Sequence, residues 1–156
     1  MFFLSDILIV GATYICMTAY ENIIHRLAHN KKTGFYYEWH KQHHIDYPPH
    51  KPESDIYINT SGFHNHFIYS ILISWYVLYK ILSLRTFIIF VSETSLYAFS
   101  VDYLHKQFHL KNSWLKRCSW FQKYKQIHLI HHMNPRKNFN FYDTSFDKMN
   151  NTYKNI

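Results

Sequence analysis

Apolar and polar positions divide this chain unevenly. From Phe2 to about Tyr20 the sequence is apolar, with Asp6 as its only charge. A second apolar run covers Phe67 to Tyr79 and includes Ile71, Leu72, Ile73, Trp75 and Val77. A third runs from Thr86 to about Leu104 and is interrupted by Glu93 and Asp102. A helix needs ~20 residues to cross a hydrocarbon core of ~30 Å. The first and third runs reach that length. The second does so when counted from Phe63 to Leu82, with Tyr, Trp and His at the interface. Lys80 and Arg85 bracket a short link, so the second and third runs are predicted to form a helical hairpin. A soluble helix shows a polar face, whereas Phe67 to Tyr79 has only Ser70 and Ser74 as clearly polar positions. The pattern predicts an all-α integral membrane protein of about three membrane helices plus cytoplasmic helices. Met1 to Tyr20 lacks a basic n-region and a convincing cleavage site before Glu21, so it reads as an uncleaved anchor.

Composition narrows this picture. A length of 156 residues is a prior for one domain, residues 1–156. Only 17% of residues are charged, below the ~25% of an average soluble domain. Three Gly and four Pro exclude a collagen-like or linker protein, and Cys16 and Cys118 make neither a disulfide framework nor a zinc finger. The net charge of +7 admits a nucleic acid or an anionic membrane surface as partner. Of seventeen Lys and Arg residues, fifteen lie between Arg26 and Lys51 or between Lys106 and Lys154. The positive-inside rule puts both stretches on the cytoplasmic side, and the surplus then reads as topology plus contact with anionic headgroups. A nucleic-acid face is the weaker reading, because the basic residues interleave with histidines instead of forming a stripe.

The chain has thirteen histidines, ten of them in four clusters. His25 and His29 form H-x-x-x-H; His40, His43 and His44 form H-x-x-H-H; His105 and His109 repeat the first pattern; His128, His131 and His132 repeat the second. Positions i, i+3 and i+4 share one helix face, so each cluster can present its imidazoles together. The first cluster follows directly on the first apolar run and the third cluster on the third run. Helices leaving the membrane would thus carry ligands to one site just above the cytoplasmic leaflet. Ten imidazoles exceed the four to six ligands of one transition metal, which predicts two metals sharing the set. Loose histidine tracts are contiguous, unlike these spaced and repeated clusters. His50, His64 and His66 belong to no cluster and read as interfacial or supporting residues.

This order of clusters resembles the fatty acid hydroxylase / sterol desaturase superfamily of integral-membrane di-iron enzymes, from Glu21 to about Thr152. Members often continue with Asn-Phe/Tyr-Gly, an aromatic-Asp pair and Gly-Thr; here Asn138-Phe139-Asn140, Phe146-Asp147 and Asn151-Thr152 stand in those places. Both glycines are replaced by Asn, a residue that also tolerates positive φ. The spacing of His25 and His29 resembles the sterol branch, while Asp102 and the Lys125–His132 run resemble the fatty-acid and ceramide branch. The family's membrane part has four helices in two hairpins, so one helix is missing here, and two copies pairing would be one way to seal the gap.

The resemblance implies a single membrane domain in which all ten clustered histidines ligate two iron ions, with O₂ as co-substrate. It implies an O₂-dependent hydroxylase or desaturase acting on an acyl chain or sterol, located in the endoplasmic reticulum. Zinc can take the same ligands during expression. The electron donor would be external, a small haem cytochrome with its reductase. Imidazole ligands have their second ring nitrogen oriented by a carboxylate or carbonyl. Asp102, one turn before His105, and Asp147, within the matching motif, are the candidates for that supporting role. The competing reading is a non-catalytic membrane metal-binding protein that keeps the ligand set.

Overall fold

The computed structural model describes residues 2–58 and 63–155, excepting the side chains of residues 2, 3 and 63–70. Among these residues six α-helices form: α1 (Phe2–Ala28), α2 (Phe35–Asp46), α3 (Phe63–Tyr79), α4 (Leu84–Phe108), α5 (Ser119–Met133) and α6 (Ser145–Met149). Short 3-10 turns occupy Lys31–Thr33 and Trp114–Arg117. Among the described residues there is no strand, only an isolated bridge between Ser54 and Leu110. The all-α expectation holds.

Helices α1 and α4 form the spine. At 27 and 25 residues they are about 40 and 37 Å long at 1.5 Å per residue. Both are long and apolar enough to cross a membrane. They run parallel: Asp6 near the start of α1 pairs with Arg85 at the start of α4, and Glu21 near its end meets Tyr97. Their outer faces are exposed and apolar, with Leu4 at 66%, Leu8 at 65% and Leu96 at 67%. Such a surface is stable in hydrocarbon and not in water.

Helix α3 lies antiparallel to α4. The turn between them is closed by Ser83, whose hydroxyl accepts the Thr86 N–H at 3.2 Å. Trp75 donates its indole N–H to the Thr94 hydroxyl at 3.0 Å, tying the pair mid-length. The expected third span is therefore a helix, but a short one. It stops at Tyr79 instead of Leu82, and its 17 residues cover about 25 Å, less than a typical core. Residues Lys80–Ser83 are spent on the turn. Among the described residues two helices, not three, meet the length and apolarity needed to span.

Beyond the spine, α2 and α5 sit across the ends of α1 and α4. Gly34 makes the entry to α2 possible: its φ of 62° lies in the left-handed region, closing the preceding 3-10 turn and redirecting the chain. A core of Met17, Ile71, Tyr97, Val101, Phe108, Leu115, Phe121 and Phe141 runs from the spine into this part. The aromatic members pack on one side of the histidines, with Phe141 4.7 Å from the His105 ring and 5.1 Å from His128.

Candidate metal centre

Four helix segments deliver the clustered histidines to one place. His25 and His29 come from the last turns of α1, His40, His43 and His44 from α2, His105 and His109 from the end of α4, and His128, His131 and His132 from α5. Eight of the ten are buried; His29 and His44 are half-buried. Two groups result. His43, His105, His109, His128 and His132 have ligand nitrogens all within 4.8 Å of one another, and so do His25, His29, His40 and His131. His44 stands between them: its Nε2 is 3.1 Å from His40 Nε2 and its ring 4.4 Å from that of His132.

The tautomers follow from the partners. His25 Nδ1 lies 2.5 Å from the Phe139 carbonyl, His109 Nδ1 2.7 Å from that of Pro52, His131 Nδ1 2.7 Å from Lys137, and His132 Nδ1 2.8 Å from Tyr47. A carbonyl only accepts, so each Nδ1 carries the proton. In a neutral ring the Nε2 is then a bare lone pair. These lone pairs face other Nε2 atoms at 3.0–3.2 Å: His25 toward His40, His131 toward His29, His132 toward His43, and His109 toward His128 and His105. Facing lone pairs repel unless a shared cation or a proton lies between them. A second proton on any of these rings is disfavoured. Burial first, then the neighbouring imidazoles, hold His40, His43, His109, His128 and His131 well below the ordinary histidine range. Burial brings His132 down to about 4, and burial with His131 brings His29 down to about 3. Neutral imidazoles converging through Nε2, four of them with Nδ1 fixed by carbonyls, are a donor set that suits a transition metal.

The two predicted supporting carboxylates make the following bonds. Asp102 forms an ion pair with Lys106 at 2.7 Å, one turn away on the half-exposed side of α4. Asp147 is fully buried and binds backbone: Oδ1 accepts the Phe139 N–H and Oδ2 the Asn140 N–H, both at 2.9 Å. It acts on His25 through the Phe139 carbonyl. His50 is exposed, outside both groups. His64 and His66 lie outside the residues whose side chains are described.

Several residues escaped sequence reasoning. Glu21 accepts the Phe141 N–H at 2.9 Å, the Asn140 amide at 3.2 Å and the Tyr97 hydroxyl at 2.6 Å. Its place one turn before His25 was the available signal, the same logic that singled out Asp102. Tyr47, fully buried, stacks on His109 at 4.0 Å between ring centres. Lys125, almost fully buried, pairs with Glu53 at 2.6 Å. The expected tolerance of Asn for positive φ holds at Asn151, with φ 56°, but the other left-handed residue is Asn138, with φ 55°, not Asn140. Asn140 instead spends its side chain in the interior, accepting from the Asn22 amide at 2.7 Å and donating to the Thr18 carbonyl at 2.9 Å.

Comparison with known proteins agrees with this arrangement. The family model described as Fatty acid hydroxylase matches residues 10–152. The chain belongs to the fatty acid hydroxylase family, a metal-dependent family of membrane oxidoreductases that act on lipids. No curated protein and no solved structure matches it.

Proposed function

We propose that this protein is an O₂-dependent lipid hydroxylase or desaturase whose ten clustered histidines hold two iron ions. The observation that carries this reading is the convergence of ten Nε2 atoms, at the buried ends of two apolar helices, in a member of this family. His43, His105, His109, His128 and His132 would hold one ion, and His25, His29, His40 and His131 the other, with His44 between them. A redox-active pair of such ions supplies reductive activation of O₂ and hydrogen abstraction from an unactivated C–H bond, which zinc cannot.

The chain's own contribution is orientation and exclusion of water. Carbonyls of Tyr47, Pro52, Lys137 and Phe139 lock four imidazoles with Nε2 inward. Phe108 and Phe141, both almost fully buried, pack against His105 and His128, with Phe121 behind Phe108, and close one side of the centre to water. The apolar faces of α1 and α4 admit a lipid tail laterally, while the basic stretches Arg26–Lys51 and Lys106–Lys154 hold its polar head at the surface.

Because α1 and α4 run parallel and both end at the histidines, the chain has to recross between them. Helix α3 is the third span in this reading, completed by interfacial residues. The positive-inside rule then puts the centre on the cytoplasmic side, and the family resemblance suggests the endoplasmic reticulum and a separate haem cytochrome with its reductase as electron donor.

Lipid profiling of cells expressing the wild type or His43→Ala tests the function. New hydroxylated or desaturated lipid with the wild type, absent with His43→Ala, is expected. Product that survives loss of His43 contradicts the proposal; metal binding without any product favours the non-catalytic reading.

A further inference from the structure

The four carbonyls that orient imidazoles come from two loops, and the carbonyls of each loop serve one group only. Tyr47 and Pro52, between α2 and α3, serve His132 and His109, both in the five-histidine group. Lys137 and Phe139, between α5 and α6, serve His131 and His25, both in the four-histidine group. Each loop is also fastened by a buried charged residue that touches no imidazole nitrogen in the bonds just described.

For the first loop that residue is Lys125. Its ammonium donates to the Leu110 carbonyl at 2.7 Å and pairs with Glu53, the residue after Pro52, at 2.6 Å. It joins α5, the end of α4 and the loop at one point. Two backbone bonds, Ser54 N–H to the His109 carbonyl at 2.9 Å and Lys111 N–H to the Ser54 carbonyl at 3.1 Å, continue the seam. For the second loop the residue is Asp147, whose two oxygens hold the Phe139 and Asn140 N–H groups and accept from Asn22 at 3.2 Å and Thr152 at 2.7 Å. A buried charge is costly unless every one of its partners is in place, so each contact set favours a single loop position.

We infer that the two halves of the metal centre are set independently: the Lys125–Glu53 clamp positions the five-histidine half through Pro52 and Tyr47, and Asp147 positions the four-histidine half through Phe139. Lys125, Glu53 and Asp147 are positioning residues. The inference rests on the reading that both groups bind metal. Outer residues that orient metal-binding imidazoles change affinity by about 10–100-fold when replaced.

The test uses the full-length protein in detergent loaded with cadmium, whose NMR resonance reports its ligands. The wild type should give two resonances, assigned by which one His109→Ala and His25→Ala each perturbs. Lys125→Met should shift or broaden the His109-linked resonance, weaken that ion about tenfold in chelator competition and leave the other alone. Asp147→Asn should do the reverse, and Lys125→Arg, which keeps a donor for Glu53, should retain the wild-type signal. The unperturbed resonance is the internal control for folding. Loss of both resonances together in either variant, or no change in either, overturns the inference while leaving the metal centre standing. Wild-type protein that takes up no metal overturns the metal reading itself, and the clamps with it.

Discussion

The two ends of α1 obey opposite rules. Toward its start, Leu4, Ile7, Leu8 and Ile15 face outward, more than half exposed. Toward its end, Glu21, Asn22 and His25 are buried. In water this would be an inside-out helix. It makes sense when the solvent changes along its length: hydrocarbon takes apolar side chains at no cost, and polar groups withdraw to find one another. The polar end is not exposed to lipid because the Phe139–Tyr142 segment covers it, supplying the Phe141 N–H to Glu21 and the Phe139 carbonyl to His25. The lesson is that burial is no measure of apolarity in this molecule. The most deeply buried large side chains include six histidines beside Phe108, Phe121, Ile127 and Phe141.

The largest effect should come from the water-facing half, where apolar packing still matters. Phe121 is fully buried against Phe108, and Phe121→Ala should cost about 3–5 kcal/mol, read as a lowered thermal midpoint in detergent. Leu8→Ala, on the lipid face, should leave that midpoint nearly unchanged; a comparable loss there would break the comparison. Leu8→Arg should raise the insertion cost by about 2.5–3.5 kcal/mol and lower the fraction resistant to carbonate extraction. Asn151 marks a smaller effect. Its φ of 56° is strained for residues other than Gly and Asn, so Asn151→Ala should cost about 1–2 kcal/mol and Asn151→Gly little, measured by the same unfolding assay. Smallest is the Asp6–Arg85 pair, with Arg85 53% exposed; Arg85→Gln should change stability by at most about 1 kcal/mol.

Much of this was legible in the sequence. Apolar runs marked the start of α1, which continues past Tyr20 to Ala28, and α4 to within a turn at each end, and four spaced histidine clusters marked the imidazoles that converge. Helical periodicity accounts for that: i, i+3 and i+4 spacing encodes a face directly. What stayed hidden depends on contacts far apart in the chain. Which imidazoles group together is decided by how α2 and α5 cross the spine, so His43 joins His105 and His132 while its neighbour His40 joins His25 and His131. The ring-orienting partners were hidden for a second reason. They are backbone carbonyls, which every residue has, so no residue type announces them. Carboxylates do announce themselves, which is why Asp102 and Asp147 stood out, although one pairs with Lys106 and the other binds backbone. Lys125 looked like one more basic residue until Glu53 and Leu110 met it.

The central claim is that the ten histidines form one dinuclear redox-metal centre. Elemental analysis of detergent-purified protein, beside a His43→Ala/His131→Ala variant that removes one ligand from each group, tests it most directly. The account predicts about two metal ions per chain, mostly iron, with both diminished in the variant. Metal that is loosely held and indifferent to the double substitution would contradict it.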